Sequence, residues 1–328
     1  MRFLKLGLSV LVLVMLCFSL PSVGVFGNFA SAASSSCTVG SEPSNLAFNP
    51  SDNYIGVSFG YTTDTISFVA SPCSVVSSTP AIAGCPFDMA YNPTNQLVYV
   101  LDSCNNSIVL LQGTTVMGTI TNAAIVNPHG IIFDPIDNLM FVGVQYGMIA
   151  LSGTTVSKSI SLSGYTPTAL AYSSASKEIF AITGGGSTVE IIGESCFCIT
   201  GHVDLKVGAT GLAYDSSNSY IYVSGYSSST PNRAGMVNVI SSSSHSIVAT
   251  IGTGRHTNDV AYSPTTNEVY ASNFLPTKGS TSVSIIKGLT VSKTLNLKGA
   301  PDQLVYDPSN GLVYASLWSS GKLTTVNS

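Results

Sequence analysis

Seven aromatic residues, Phe48, Tyr91, Phe133, Tyr172, Tyr214, Tyr262 and Tyr306, recur 39 to 48 residues apart, each closing a short apolar run. A polar turn and a second apolar run follow every time, so one unit of forty-odd residues is written seven times. Residues 211–225, GLAYDSSNSYIYVSG, show its logic. Leu212, Ala213 and Tyr214 lack polar alternation, which predicts a strand covered on both faces. Asp215-Ser216-Ser217-Asn218 predicts a tight turn, matched by Asn92-Pro93-Thr94-Asn95, Asp134-Pro135-Ile136-Asp137 and Asp307-Pro308-Ser309-Asn310. The leading Asp or Asn bonds back to the turn backbone, Pro presets φ, and the final Asn tolerates a left-handed conformation.

A second strand is predicted at 221–223, with counterparts at 98–100, 140–142, 269–271 and 313–315. A third follows at 107–111, 187–192, 236–240 and 282–286, and a fourth, more polar, at 158–162 and 293–297. Four antiparallel strands running from a buried inside to a solvated edge, repeated with this period, predict propeller blades. Seven of them predict an all-β, seven-bladed β-propeller over residues 33–328. The last unit starts near Ala300 and has room for three strands only. Its outer strand is expected from the N-terminal side, where Cys37-Thr38-Val39-Gly40 precedes Pro43 as residues 160–164 precede Pro167. Sealing the ring in this way hides open sheet edges.

The second strands with their exits read VYVLD (98–102), IYVSG (221–225), VYASN (269–273) and VYASL (313–317), after turns such as YNPTN (91–95) and YSPTTN (262–267). These resemble the YVTN-type propeller repeat of archaeal surface proteins and of bacterial exported proteins of the YncE kind. The resemblance covers essentially all of residues 33–328 and implies extracytoplasmic binding or surface assembly rather than catalysis. Its matching residues are turn and core positions, so it carries over no site residue. The units at 131–144 and 170–183 end FVGV and FAIT and depart from the pattern.

Arg2 and Lys5 precede an uncharged apolar run from Leu6 to Leu20, and Ala30-Ser31-Ala32 fits signal-peptidase cleavage. Residues 1–32 therefore read as a secretory signal or, uncleaved, as an N-terminal anchor. Cys17 follows Leu16 where a lipoprotein signal needs a small residue. Without Arg2 and Lys5, ten basic residues face sixteen acidic ones, a net charge of −6 that argues against nucleic acid as a partner. Only 9% of the chain is charged, and Ser, Thr, Asn and Gly take the surface positions. Hydroxyls and amides stay polar at any pH, so exposure to acid or heat outside the cytoplasm is expected.

Six cysteines remain beyond the leader, and in an exported chain disulfides are the default. Cys85 and Cys104 fall at one end of the same hairpin and are expected to pair. The others leave several pairings open: Cys37 with Cys73, and Cys196-Phe197-Cys198 closing a small ring, staying reduced or pairing elsewhere. No second CxC or His pair completes a four-ligand metal site around Cys196 and Cys198.

In a propeller the turns leading into the inner strands and the loops between second and third strands share one face around the central channel. At that mouth the register places Asn45, Asp88, His129, His256, Asn258, Asp259, Asp302 and Gln303, together with the long loops 226–235 and 274–282. Asp88, Asp259 and Asp302, with Asn45 and Asn258, are the oxygen donors that would hold Ca²⁺ or Mg²⁺ if any do. The competing reading has them bonding backbone or channel water. His129 and His256 belong to units three apart and are expected to face each other across the channel. Streptogramin-lyase-like propellers carry an acid and histidines at such a mouth, but no motif here matches closely enough to transfer residues.

No GxSxG occurs, and Gly184-Gly185-Gly186 precedes a strand where a phosphate cradle needs a helix. Tyr61, Tyr146, Tyr226, Phe274 and Trp318 are placed around the upper face, where aromatics suit glycans or proteins. The expected function is an exported binding or cell-surface interaction module for an envelope protein or glycan. Two alternatives stand beside it: a lactonase- or lyase-like propeller enzyme with a divalent metal at the mouth, and a structural component of a surface-layer array.

Overall fold

The computed structural model describes residues 35–79, 82, 84–162, 165–230, 233–275 and 280–327. The expected leader, residues 1–32, and parts of the two long upper loops, 231–232 and 276–279, lie outside them. The described strands form seven four-stranded antiparallel sheets, six of them ordered simply from first strand to last. Blade 1 spans residues 46–78, blade 2 86–121, blade 3 129–161, blade 4 170–204, blade 5 208–255 and blade 6 257–296. Blade 7 takes three strands from 301–326 and its outer strand from Ser36–Thr38. The ring is thus closed as the sequence predicts, with Cys37 opposite Leu323. The Cys37–Cys73 disulfide fastens this closing strand to the outer hairpin of blade 1.

Burial explains the sequence pattern. Second strands such as Leu97–Asp102 are buried along nearly their whole length, whereas outer strands such as Thr115–Thr121 are mostly exposed. Successive side chains of a strand point to opposite faces, and each face of an inner or second strand meets a different neighbouring blade. Tyr99 and Leu101 enter the seam between blades 2 and 3, while Val98 and Val100 enter the seam between blades 1 and 2. Seven hydrophobic clusters among the described residues each straddle one of the seven seams. No blade has a core of its own, which is why the unit has to be repeated.

The turns follow the Asx reading with one correction. Asn92, Asp134, Asp215 and Asp307 accept a hydrogen bond from the backbone N–H two residues on, at 2.8 to 2.9 Å. The left-handed residue, however, is the one after the final Asn or Asp of the tetrapeptide: Gln96, Asn138, Ser219 and Gly311 have φ of 59°, 56°, 61° and 75°. Asn95, Asn218 and Asn310 instead accept from the N–H that starts the second strand, at 3.1, 2.9 and 2.8 Å. Outer strands also begin earlier than expected, at Thr155 and Thr290, because the preceding turns are two-residue hairpins opened by left-handed Gly153 and Gly288.

Cys85–Cys104 is bridged as expected, and Cys37–Cys73 and Cys196–Cys198 are the other two disulfides. Such bridges are compatible with an extracellular protein.

On the upper side the blades are stitched by hydroxyls. Ser58, Ser224, Ser272 and Ser316 leave equivalent points of the second strands and donate to backbone carbonyls of the next blade, at Phe87, Asn258, Asp302 and Ser44, over 2.8 to 3.1 Å. Blade 3 has Gly143 at this point, because a Cβ there would come within 2.5 Å of the His129 and Pro167 carbonyl oxygens. Replacing Gly143 by Ala is expected to cost about 1–3 kcal/mol by forcing that seam apart. Thermal denaturation would show this as a fall of several degrees, and an unchanged melting temperature would refute the close approach.

Candidate functional site

The inner strands do not run straight into the channel mouth. Ladder register slips between Pro86 and Met89, His129 and Ile131, Ala209 and Gly211, Thr257 and Val260, and Pro301 and Leu304. Each slip is a bulge, which locally re-aims side chains at the rim of a sheet. The bulged residues include Phe87-Asp88, Gly130, Thr210, Asn258-Asp259 and Asp302-Gln303. All of these except Gly130, with Ser44-Asn45 and Thr168-Ala169, line a cavity of about 620 Å³.

Of the residues expected at the mouth, Asn45, Asp88, His129, Asn258, Asp259, Asp302 and Gln303 line this cavity. His256 does not. It sits at the upper rim with left-handed φ of 51°, stacked on Tyr226 at 3.8 Å and 5.9 Å from Phe274. Its Nδ1 is buried without a partner, and burial together with the Arg233 charge lowers its pKa below the ordinary imidazole value. Sequence register cannot foresee this, because a left-handed residue swings its side chain out of the alternation. Glu42, also on the cavity wall, was missed although it directly precedes the Pro43 that leads into blade 1.

The three aspartates carry the electrostatics. Asp88 accepts at Oδ1 from the Met89 N–H (2.8 Å) and at Oδ2 from the Ile131 N–H of blade 3 (3.1 Å). Asp259 holds the equivalent place in blade 6, and its Oδ2 accepts from the Leu304 N–H of blade 7 at 2.8 Å. Asp302 accepts from the Asn258 side-chain amide at 2.6 Å. Asp88 and Asp259 therefore clasp neighbouring blades rather than their own turns. Desolvation by burial pushes Asp88 up to about 6, and Asp259 and Asp302 up to about 7. The charges of Asp302 and Asp88 add to the rise at Asp259, and the backbone and amide donors oppose it. No Lys or Arg is among the described residues that line the cavity.

Aromatic groups flank the opening in two sets. Tyr61 lies 6.0 Å from Phe87, which lies 4.5 Å from the His129 ring, and all three line the cavity. In the second set Trp318 lines the cavity and meets Phe274 edge-on at 6.0 Å. Arg233 covers Tyr226, with Cζ 5.6 Å from the ring centre.

As a shared metal site the aspartates fit poorly. Among the described residues, the one set of three His, Cys, Asp or Glu groups with ligand atoms within 4.8 Å of one another is Asp134, Asp137 and Glu194, at the opposite end of the blades. There the Tyr172 hydroxyl donates to Glu194, whose pKa is raised chiefly by burial.

No family model matches the sequence, and no curated protein matches it either. Solved structures do. Kuenenia stuttgartiensis hydrazine synthase superposes with a TM-score of 0.76 at 16% identity, over 88% of this chain and 96% of that one. Virginiamycin B lyase from Staphylococcus aureus gives 0.71 at 10% identity, over 89% and 98%. The WD40 domain of Neurospora crassa Pan2 gives 0.69 at 14%, over 87% and 88%. They share the fold. At these identities the likeness extends to the seven-bladed propeller and no further, since one such fold hosts unrelated chemistries.

Proposed function

We propose that the chain is an exported binding module of the YVTN/YncE kind that takes its ligand at the channel mouth, and that the ligand presents an organic cation. The observation that carries this reading is the gathering of acids on the cavity wall with no base beside them among the described residues. Glu42, Asp88, Asp259 and Asp302 face the cavity, and among the described residues no Lys or Arg lines it to neutralise them. An ammonium or guanidinium group would supply the missing charge, and Tyr61, Phe87 and Trp318 offer ring faces that also attract cations. The carboxylates do not share one coordination shell, so a group larger than a bare ion suits their spacing. A lysine or arginine of an envelope protein, or an amino-bearing glycan, has this chemistry.

Calorimetric titration of residues 33–328 with arginine amide, choline and spermidine tests it, with a neutral oligosaccharide, Ca²⁺ and Mg²⁺ as further arms. At least one organic cation is expected to bind. Its affinity is expected to rise between pH 5 and 8, as Asp88, Asp259 and Asp302 ionise through about 6 to 7. Asp302→Asn is expected to weaken binding about tenfold or more. Binding of the neutral sugar alone, or affinity indifferent to pH, would overturn the reading. Tight, stoichiometric Ca²⁺ or Mg²⁺ would favour the metal-dependent alternative.

One observation favours surface assembly as a second reading. Outer strands carry exposed apolar pairs, Val75-Val76, Val116-Met117 and Ile247-Val248, on edges that are open. Sedimentation of the purified protein as ordered sheets would support it.

A further inference from the structure

Three disulfides are present, and they are not alike. Cys37–Cys73 and Cys85–Cys104 join residues 36 and 19 apart, whereas Cys196–Cys198 encloses a single residue. The first fastens the ring closure, and the second ties both ends of a hairpin in blade 2. Cys196–Cys198 joins nothing that the backbone does not already hold together. It lies at the turn between the third and fourth strands of blade 4, where Gly193 pairs with Cys198. Of the three bridges it alone has both cysteines exposed.

The residue it encloses is held in an unfavourable conformation. The fourth residue of this turn is left-handed, as His245 is in the corresponding turn of blade 5, with φ of 52°. In blade 4 that residue is Phe197, at φ of 46°, a region bulky aromatic residues rarely enter. Phe197 is nevertheless buried, stacked 5.9 Å from Phe141 in the seam between blades 3 and 4. The unbridged turn at His245 takes the same conformation, so the fold does not need the bridge to hold Phe197 in place. A loop this short also restricts the unfolded chain little, so folding lends the bridge little of the protection it gives the other two.

We propose that Cys196 and Cys198 form a redox-active thiol–disulfide exchange site facing solvent. An external thiolate attacks one sulfur, giving a mixed disulfide and releasing the other cysteine as thiolate. A second external thiolate then attacks the external sulfur of that mixed disulfide and releases the second cysteine. Two thiols become one disulfide, and two electrons and two protons pass to the Cys196/Cys198 pair. The reductant is a thiol, either small or carried on an exported protein. The site is remote from the channel and independent of what binds there.

Residues 33–328 can be equilibrated in glutathione buffers of increasing reduced fraction, quenched by alkylation and assigned cysteine by cysteine in a mass spectrometer. Cys196 and Cys198 are expected to alkylate as a pair at a ratio about tenfold or more less reducing than either other pair needs, while the far-ultraviolet spectrum stays that of the folded ring. Three bridges opening together, or Cys196–Cys198 surviving conditions that open the others, would overturn the proposal. In a second arm the oxidised protein is mixed with reduced, denatured ribonuclease. About one disulfide formed per molecule is expected, and none with C196S/C198S. Equal thiol loss with both proteins would also overturn it. Exchange with glutathione alone names a small thiol as the partner, and exchange with ribonuclease names a protein thiol.

Discussion

Lowering the pH from 8 to 5 is expected to raise the melting temperature of this protein, by roughly 10 °C, where most proteins show no such gain. Asp88, Asp259 and Asp302 have folded-state pKa values raised from 3.8 to about 6, 7 and 7. The folded chain therefore holds protons that the unfolded chain releases. That stabilisation is fully present below about pH 4 and is lost as pH rises through 6 to 7. Asp259 is only 7% exposed, and its rise from 3.8 to about 7 sets a ceiling of about 4 kcal/mol for that group. Asp88 and Asp302, half-buried at the cavity wall, add in the same direction. His256 opposes them, because its lowered pKa makes charging it in the fold costly as pH falls below 6.5. Acid has little else to destroy, since His245–Glu178 is the one side-chain ion pair among the described residues. Melting curves at half-unit pH intervals check this. Asp259→Asn keeps an oxygen to accept the Leu304 N–H, so it is expected to flatten the profile and stabilise the protein at pH 8. A melting temperature that falls steadily from pH 8 to 5 would contradict the account.

Removing residues 33–40 is expected to lower the melting temperature by about 10–20 °C relative to the protein beginning at residue 33. The deletion strips Ser36–Thr38 from the edge of Lys322–Val326 and leaves that strand's backbone groups unpaired. It removes the Cys37–Cys73 bridge, worth about 2–5 kcal/mol in natural proteins. It also uncovers Leu323 and takes Val39 out of the seam between blades 7 and 1. C37S/C73S, which keeps the strand, is expected to lose only part of this. Equal melting of full and shortened proteins would show that the ring does not depend on its closure.

The ring was legible in the sequence because what defines it is local and periodic. Tyr214 and its six counterparts mark inner strands, Asp215 and Asp307 mark turns, and the shortfall after Ala300 marks where the ends must meet. The mouth was legible at the level of residue position. Its chemistry was not, because Asp88 and Asp259 look like turn-capping aspartates and become blade clasps only through bulges. A bulge depends on how two strands settle against each other, and no short phrase of sequence encodes it. Ser224, Ser272 and Ser316 were hidden for the same reason: they follow the VYV-type phrase like any strand exit, and their partners lie 34 and 30 residues away or, for Ser316, across the closure at Ser44. Cys85 and Cys104 could be paired in advance because one hairpin fixes their distance, whereas Cys37 and Cys73 meet only once the circle is complete.

The covalent link at Cys37 also decides how the molecule bears load. A pull delivered through the chain upstream of Ser35 acts along the outermost strand of blade 7 and would unzip its hydrogen bonds one at a time, the weakest way to resist force. The sulfur bridge halts that peeling at residue 37 and passes the tension sideways into blade 1, so the closing strand leaves the ring only once blade 1 itself gives way or the bridge is cut.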